Sequence, residues 1–162
     1  MVHHVSEHHT SMSVPLDSDG FLRRECPTCE REFKWLSTPE GEEPTQAPGG
    51  GFFCPYCAVQ AEAGDWFTKA QIEQAKAIMY DEVVAPQLAA FKKTVEGMNI
   101  SGGLIDIRAK LSIEEPDPPA PLEETDDMRR IDFPCHPSEP VKVIDSWERE
   151  VHCMVCGTVV EL

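Results

Sequence analysis

Seven cysteines set the chemistry of this chain. Cys26-Pro-Thr-Cys29, Cys54-Pro-Tyr-Cys57 and Cys153-Met-Val-Cys156 are C-x-x-C turns, and Cys135 stands alone. A C-x-x-C turn aims two thiolates at one point, and two such turns brought together make a tetrahedral sulfur cage of the kind zinc prefers. Cys26, Cys29, Cys54 and Cys57 form a first such set. The 24 residues between the two pairs suffice for a strand, a loop and a return strand. Cys135, Cys153 and Cys156 form a second set that lacks one donor. His136 and His152 are the candidates. The C-terminal arm already contributes two cysteines, so arm counting favours His136 beside Cys135. Adjacent strand residues point opposite ways, but Pro134 and Pro137 exclude a regular strand, so both side chains can converge. Glu139, His152 or a water remain alternatives for this fourth position. Two zinc ions per chain are expected.

In both C-P-x-C turns the proline fixes φ and leaves the later amides free to donate to the sulfurs. Such donors favour thiolate, the state a metal requires. Residues 26–57, and less fully 135–156, resemble zinc-ribbon proteins with rubredoxin-type knuckles. The resemblance implies a structural zinc and a short three-stranded sheet. It implies no activity, because ribbons serve transcription, ribosomes, enzymes and adaptors alike. Rubredoxin knuckles carry glycine after the second cysteine. Glu30 and Ala58 stand there, which argues against iron. A thioredoxin-like dithiol needs a first cysteine that opens a helix, whereas Cys29 leads into a strand-like segment.

Other chemistry finds no support. The H-x-E and P-C-x-x-C pairing of zinc deaminases is absent, as are H-E-x-x-H, G-x-S-x-G and the P-loop motif. Only a water-ligated second site would make an enzyme of this chain, since an open zinc activates water.

Composition narrows the partners. The chain of 162 residues has 29 acidic against 14 basic residues, a formal net charge of −15. Metal-bound thiolates take this to about −18. Nucleic-acid backbones repel such a surface unless a local basic patch exists, so a neutral or basic protein partner is favoured. Odd cysteines in C-x-x-C pairs suit a reducing cytoplasm better than a disulfide framework. Neither a signal-like stretch nor an apolar run long enough to span a membrane is present. The spacing does not speak to oligomeric state.

The elements that must position these residues are short. Residues 1–20, with His3, His4, His8 and His9, read as a disordered tail. Residues 21–67 form a first lobe, with a strand over Glu32–Leu36, an exposed loop over Pro39–Gly51 and a return strand at Phe52-Phe53. Phe33, Trp35, Phe52, Phe53, Tyr56, Trp66 and Phe67 crowd this lobe and read as packing between it and the helix that follows. Residues 68–97 read as a helical segment: Thr68 and Gln71 make a capping box, Gly97 is a stop, and Pro86 kinks it into 69–85 and 86–96. Ile72, Ala75, Met79 and Val83, then Leu88, Phe91 and Val95, form apolar stripes assigned to core packing. Residues 98–127 hold an alternating strand over Ile105–Ile113 and an acidic, Pro-rich strap. Residues 128–162 form a second lobe, with a strand at Val141–Ile144, a turn at Asp145-Ser146, a return over Glu148–His152 and a closing strand at Thr158–Leu162.

The expected class is α+β: two small zinc-stapled β lobes joined by a kinked helix, a strand and an acidic strap. The function expected is a cytoplasmic zinc-binding adaptor or regulatory subunit acting through protein contacts. The alternative is a nucleic-acid-associated zinc ribbon related to transcription. The third is a zinc enzyme open at the second site.

Overall fold

The computed structural model describes residues 12–37, 46–47, 49–97, 100–102, 105–107 and 116–162. The tail histidines, most of the loop over Pro39–Gly51 and the strand positions 108–113 lie outside them. The chain divides into two units: Val14–Ile72 with Leu122–Leu162, and Met1–Ser13 with Glu73–Pro121. The class is α+β, with two metal-binding lobes.

In the first unit, β1 (Phe21–Glu25) and β2 (Glu32–Leu36) form an antiparallel hairpin whose loop is the Cys26–Cys29 turn. Phe52–Phe53 is β3 and Gln60–Ala61 is β4, a second short hairpin around the Cys54–Cys57 turn. Gly51, at φ +77°, faces the Ala61 carbonyl so closely that a Cβ has no room. A 3-10 turn at Ala63–Asp65 leads to α1 (Lys69–Met79). The capping box forms as the sequence predicts: the Gln71 amide donates to Thr68 Oγ1 at 3.2 Å, and the Thr68 amide to Gln71 Oε1 at 3.1 Å.

The second unit continues the helix. A π-turn at Tyr80–Val84 precedes α2 (Ala85–Gly97). The Ala85 amide reaches back five residues to the Tyr80 carbonyl. Pro86 has no amide and its ring crowds the carbonyl four residues earlier, so the widened turn accommodates it without breaking the helix. The core-packing reading of the stripes does not hold. Within α1 only Gln71 is buried and within α2 nothing is, while Met79 and Phe91 are 58% and 57% exposed. Strands β5 (Ile100–Gly102) and β6 (Ile105–Ile107) pair antiparallel.

Back in the first unit, Met128–Phe133 is β7 and His136–Ile144 is β8. They are antiparallel, with a bulge between Ile131 and Phe133. Val151–His152 is β9 and Val159–Val160 is β10; they pair around the Cys153–Cys156 turn.

The two lobes are not independent. β8 pairs with β2 through Lys34↔Lys142 and Trp35↔Val141, which makes one four-stranded sheet in the order β1-β2-β8-β7. One core lies on one face of that sheet. Phe33, Trp35, Phe52, Tyr56 and Trp66 pack there with Phe133, Val141, Val143, Trp147 and Met154. Phe33 meets Trp66 edge-on at 5.7 Å, and Tyr56 meets Trp147 at 4.7 Å. Of the crowded aromatics, Phe33, Trp35, Phe52, Tyr56 and Trp66 thus pack across the two lobes, whereas Phe53 is half-buried and Phe67 is 42% exposed beneath the Arg24 guanidinium.

The opposite face departs from the alternation pattern. Lys34 belongs to the nominally polar side of β2, yet it is fully buried, as is nearly all of Lys142 beside it. Carboxylates cover both. Asp17 lies 3.3 Å from Lys34 Nζ and 2.8 Å from Lys142 Nζ, and Glu124 lies 3.0 Å from Lys34. Lys34 also donates to the Thr125 carbonyl. Glu124 and Asp127 further clasp Arg23 at 2.8 and 2.6 Å. The end of the acidic strap is therefore an ion-paired cover for the sheet. Buried charges are tolerated when paired and hydrogen-bonded in this way.

Candidate metal centres

Three turns of the same build carry six of the seven cysteines. In each, the residue after the second cysteine donates back to the first cysteine's carbonyl: Glu30 to Cys26 at 3.0 Å, Ala58 to Cys54 at 3.0 Å, Gly157 to Cys153 at 2.8 Å. In each, the first cysteine's amide donates to the carbonyl five residues on, that of Arg31, Val59 or Thr158. This closure holds the residue after the second cysteine at positive φ: 55° at Glu30, 58° at Ala58, 70° at Gly157. Glu30 and Ala58 adopt the left-handed conformation that glycine takes more easily. The missing glycines therefore do not prevent a rubredoxin-type turn, and that argument against iron falls.

The turns aim amides at sulfur. Thr28 and Cys29 amides both lie 3.4 Å from Cys26 Sγ, and the Tyr56 amide 3.4 Å from Cys54 Sγ. Burial opposes ionisation of Cys26, but the Cys29 and Thr28 amides prevail and hold its thiol below the ordinary range. Burial pushes Cys29 up to about 11 and Cys54 further still. A metal must therefore displace protons that burial retains. That displacement couples its binding to pH.

The first centre gathers Cys26, Cys29, Cys54 and Cys57, with all four sulfurs within 4.8 Å of one another. Cys26 and Cys57 sulfurs are 3.7 Å apart, and those of Cys29 and Cys54 are 3.8 Å apart. A tetrahedron with metal–sulfur bonds of about 2.3 Å has edges of about 3.8 Å. These two edges match those of a four-coordinate ion. Cys26 and Cys54 are buried, and Cys29 and Cys57 half-buried.

The second centre gathers Cys135, His136, Cys153 and Cys156 on the same criterion. Cys135 and Cys156 sulfurs are 3.5 Å apart, and His136 Nδ1 is 3.5 Å from Cys153 Sγ. A sulfur–nitrogen edge of such a tetrahedron is about 3.6 Å. Only one arm is a knuckle. The other is the β7–β8 hairpin, in which Phe133 pairs with His136 and Pro134 and Cys135 form the two-residue turn. Here the expectation needs correcting: Pro137 does not exclude a strand, because His136 opens β8. Cys135 and His136 converge because one lies in a turn and the other in a strand. This centre is more open, with Cys135 and Cys156 exposed and Cys153 buried. Thr158 Oγ1 lies 3.1 Å from Cys156 Sγ, and this contact lowers that thiol to about 6. Burial raises Cys153 to about 12.

The remaining candidates are placed elsewhere. His152 turns away from the second centre; its Nδ1 lies 3.2 Å from the Pro55 carbonyl, which accepts. Glu139 accepts from the Trp35 indole at 3.0 Å.

Sequence reasoning missed how the centres are joined. The Phe53 amide donates to the Met154 carbonyl at 2.8 Å, and the His152 amide to the Pro55 carbonyl at 2.9 Å. The second and third knuckles are thus bonded to each other. Tyr56, between two ligands of the first centre, donates from its hydroxyl to the Glu32 carbonyl at 2.8 Å and accepts from the Ile144 amide at 3.1 Å. A tyrosine inside a C-P-x-C turn is the available signal, since a buried phenol needs a partner.

No protein-family model, curated protein or solved structure matches this chain. The likeness to zinc-ribbon knuckles stands on the turns and the two donor clusters. Among the described residues no helix is long and apolar enough to cross a membrane.

Proposed function

We propose that this chain is a cytoplasmic zinc-binding protein in which both ions are structural and which works through contacts with other proteins, as an adaptor or regulatory subunit. One observation carries the reading: each centre gathers four protein donors within 4.8 Å of one another. Closed four-donor sites are structural, whereas catalytic zinc keeps a position for water. Four cysteines make one common zinc set and three cysteines with a histidine make another, so one metal serves both centres. The placement of Cys26, Cys54 and Cys153 inside the hydrophobic core fits ions that hold the fold.

The arginines give the nucleic-acid alternative little help. Arg23 is held by Glu32, Glu124 and Asp127, and Arg130 by Asp132. Arg31 and Arg149 lie on the Trp147 ring at 5.0 and 5.5 Å.

The test is metal analysis joined to X-ray absorption of the purified chain. About two zinc per chain in shells of sulfur and nitrogen alone support the proposal. Oxygen in the shell of the second centre, together with hydrolytic turnover, would establish the enzyme reading instead. Substantial iron would reopen electron transfer.

A further inference from the structure

The helix formed by α1, the π-turn and α2 carries an apolar stripe that the described core does not use. Ile72, Ala75, Met79, Val84, Leu88 and Phe91 follow one another at steps of 3, 4, 5, 4 and 3 residues. The steps of 3 and 4 keep an α-helical face. The step of 5 falls on the π-turn, where one turn closes through an i→i+5 bond. That bond is the one from Ala85 to Tyr80. Val84 therefore follows Met79 on the same face, and the stripe crosses Pro86 unbroken. Ile72, Met79, Val84 and Phe91 are 42, 58, 38 and 57% exposed. The strap lies on a neighbouring face: Pro116 and Pro119 line a cavity of about 280 Å³ with Glu73, Ala77 and Tyr80.

From Ile72 to Phe91 the step sequence reads the same in both directions, and Val95 extends the stripe at one end only. Its centre lies between Met79 and Val84. A second helix of the same chain, laid antiparallel, sets Ile72 against Phe91, Ala75 against Leu88 and Met79 against Val84, and then repeats these layers beyond the centre. That is the self-complementarity a two-fold interface requires. Charge permits the pairing. The chain carries −15, but Lys69, Lys76, Lys92 and Lys93 balance Glu73, Asp81, Glu82 and Glu96 along this helix, leaving it neutral. In this register Lys76 of one copy comes beside Lys92 of the other. Lys76 is neutralised by Glu73 at 2.7 Å, and Glu96 follows Lys92 by one turn.

We infer that this stripe is a dimerisation surface whose occupant is a second copy of the chain, helix antiparallel to helix. The inference rests on the reading that the protein works through protein contacts.

Light scattering and sedimentation equilibrium of the zinc-loaded full chain, from about 1 to 200 µM, test it. The mass should rise with concentration from 18.1 kDa toward twice that value. Met79→Glu and Phe91→Glu should each hold the chain monomeric with zinc content unchanged. Lys92→Glu sets opposite charges beside Lys76 at both symmetric positions and should tighten the dimer about three- to tenfold. A monomer throughout the range overturns the inference and leaves the stripe to another protein or to a segment of the same chain. A dimer that survives both glutamate variants, or weakens with Lys92→Glu, overturns it as well. A monomer that retains both zinc ions leaves the proposed function standing, so the two failures are distinguishable.

Discussion

Cys54→Ser should disturb both metal centres. Cys54 is a ligand of the first, but its knuckle is bonded to the third knuckle through the Phe53–Met154 and His152–Pro55 hydrogen bonds. Removing a thiolate from a structural site forfeits a binding energy of about 10–16 kcal/mol, which rivals the whole stability of a domain. The second knuckle then loses its reason to stay closed. The second centre loses two hydrogen bonds at about 1 kcal/mol each. It also loses the environment that buries Met154 completely. Exposing that side chain costs about 2 kcal/mol more. The sum, about 4 kcal/mol, weakens metal binding at the second centre about a thousandfold. Cobalt replacement makes the effect readable, because a shell of four sulfurs and a shell of three sulfurs with one nitrogen absorb at different wavelengths. Competition with a chelating dye then gives each centre's affinity. Cobalt binding at the second centre of Cys54→Ser within about threefold of the wild-type affinity would refute the coupling.

Further outcomes follow from single contacts. His136→Ala should empty the second centre, whereas His152→Ala should keep both metals and lose only about 1 kcal/mol with its bond to Pro55; metal counts and melting of the two variants check this. Lys34→Met should cost about 3 kcal/mol in urea unfolding, because it strands Asp17 and Glu124 beside fewer cations, while zinc content stays at two. Asp17 is held down to about 2 from 3.8: burial opposes its ionisation, but the ammonium of Lys142, the Phe21 amide and Lys34 prevail. A depressed carboxyl contributes stability that is complete above about pH 4 and fades as pH falls toward 2, so the stability gap between wild type and Asp17→Asn should be constant near neutrality and narrow across that window.

What the sequence discloses is local. The knuckles follow from a few hydrogen bonds within six residues, so C-x-x-C spacing announces them. The capping box spans four residues and forms as read. Pro86 marks its own disturbance, although the spacing alone does not say that a π-turn at Tyr80–Val84 absorbs it. The long-range features are hidden. The β2–β8 pairing joins residues more than a hundred positions apart, and neither strand's composition names its neighbour. Lys34 reads as solvent-facing because alternation assumes one wet face. Its face is covered by Asp17 and Glu124, from segments 17 residues before it and 90 after it. The exposed helical stripe is misassigned to the core for a related reason: periodicity reports an apolar face but not what covers it.

The charge of the chain also looks different once its carboxylates are placed. A net of −15 suggests a field that attracts a basic partner. Asp17, Glu124 and Asp127 instead spend their charge on Arg23, Lys34 and Lys142, at the sheet face the strap covers. The residues from 69 to 97 sum to zero. Net charge therefore governs how partners approach in dilute salt more than what they finally touch. If the helix pairs with a second copy as inferred above, Met79 and Phe91 set the contact chemistry, and that binding should respond little to ionic strength. At the sheet the acidic segments are already engaged by cations of the same chain. A partner that binds there must displace the strap, and that displacement would strand Lys34 without its carboxylates. The described end of the strap is thus engaged in holding the fold rather than held out to a basic ligand.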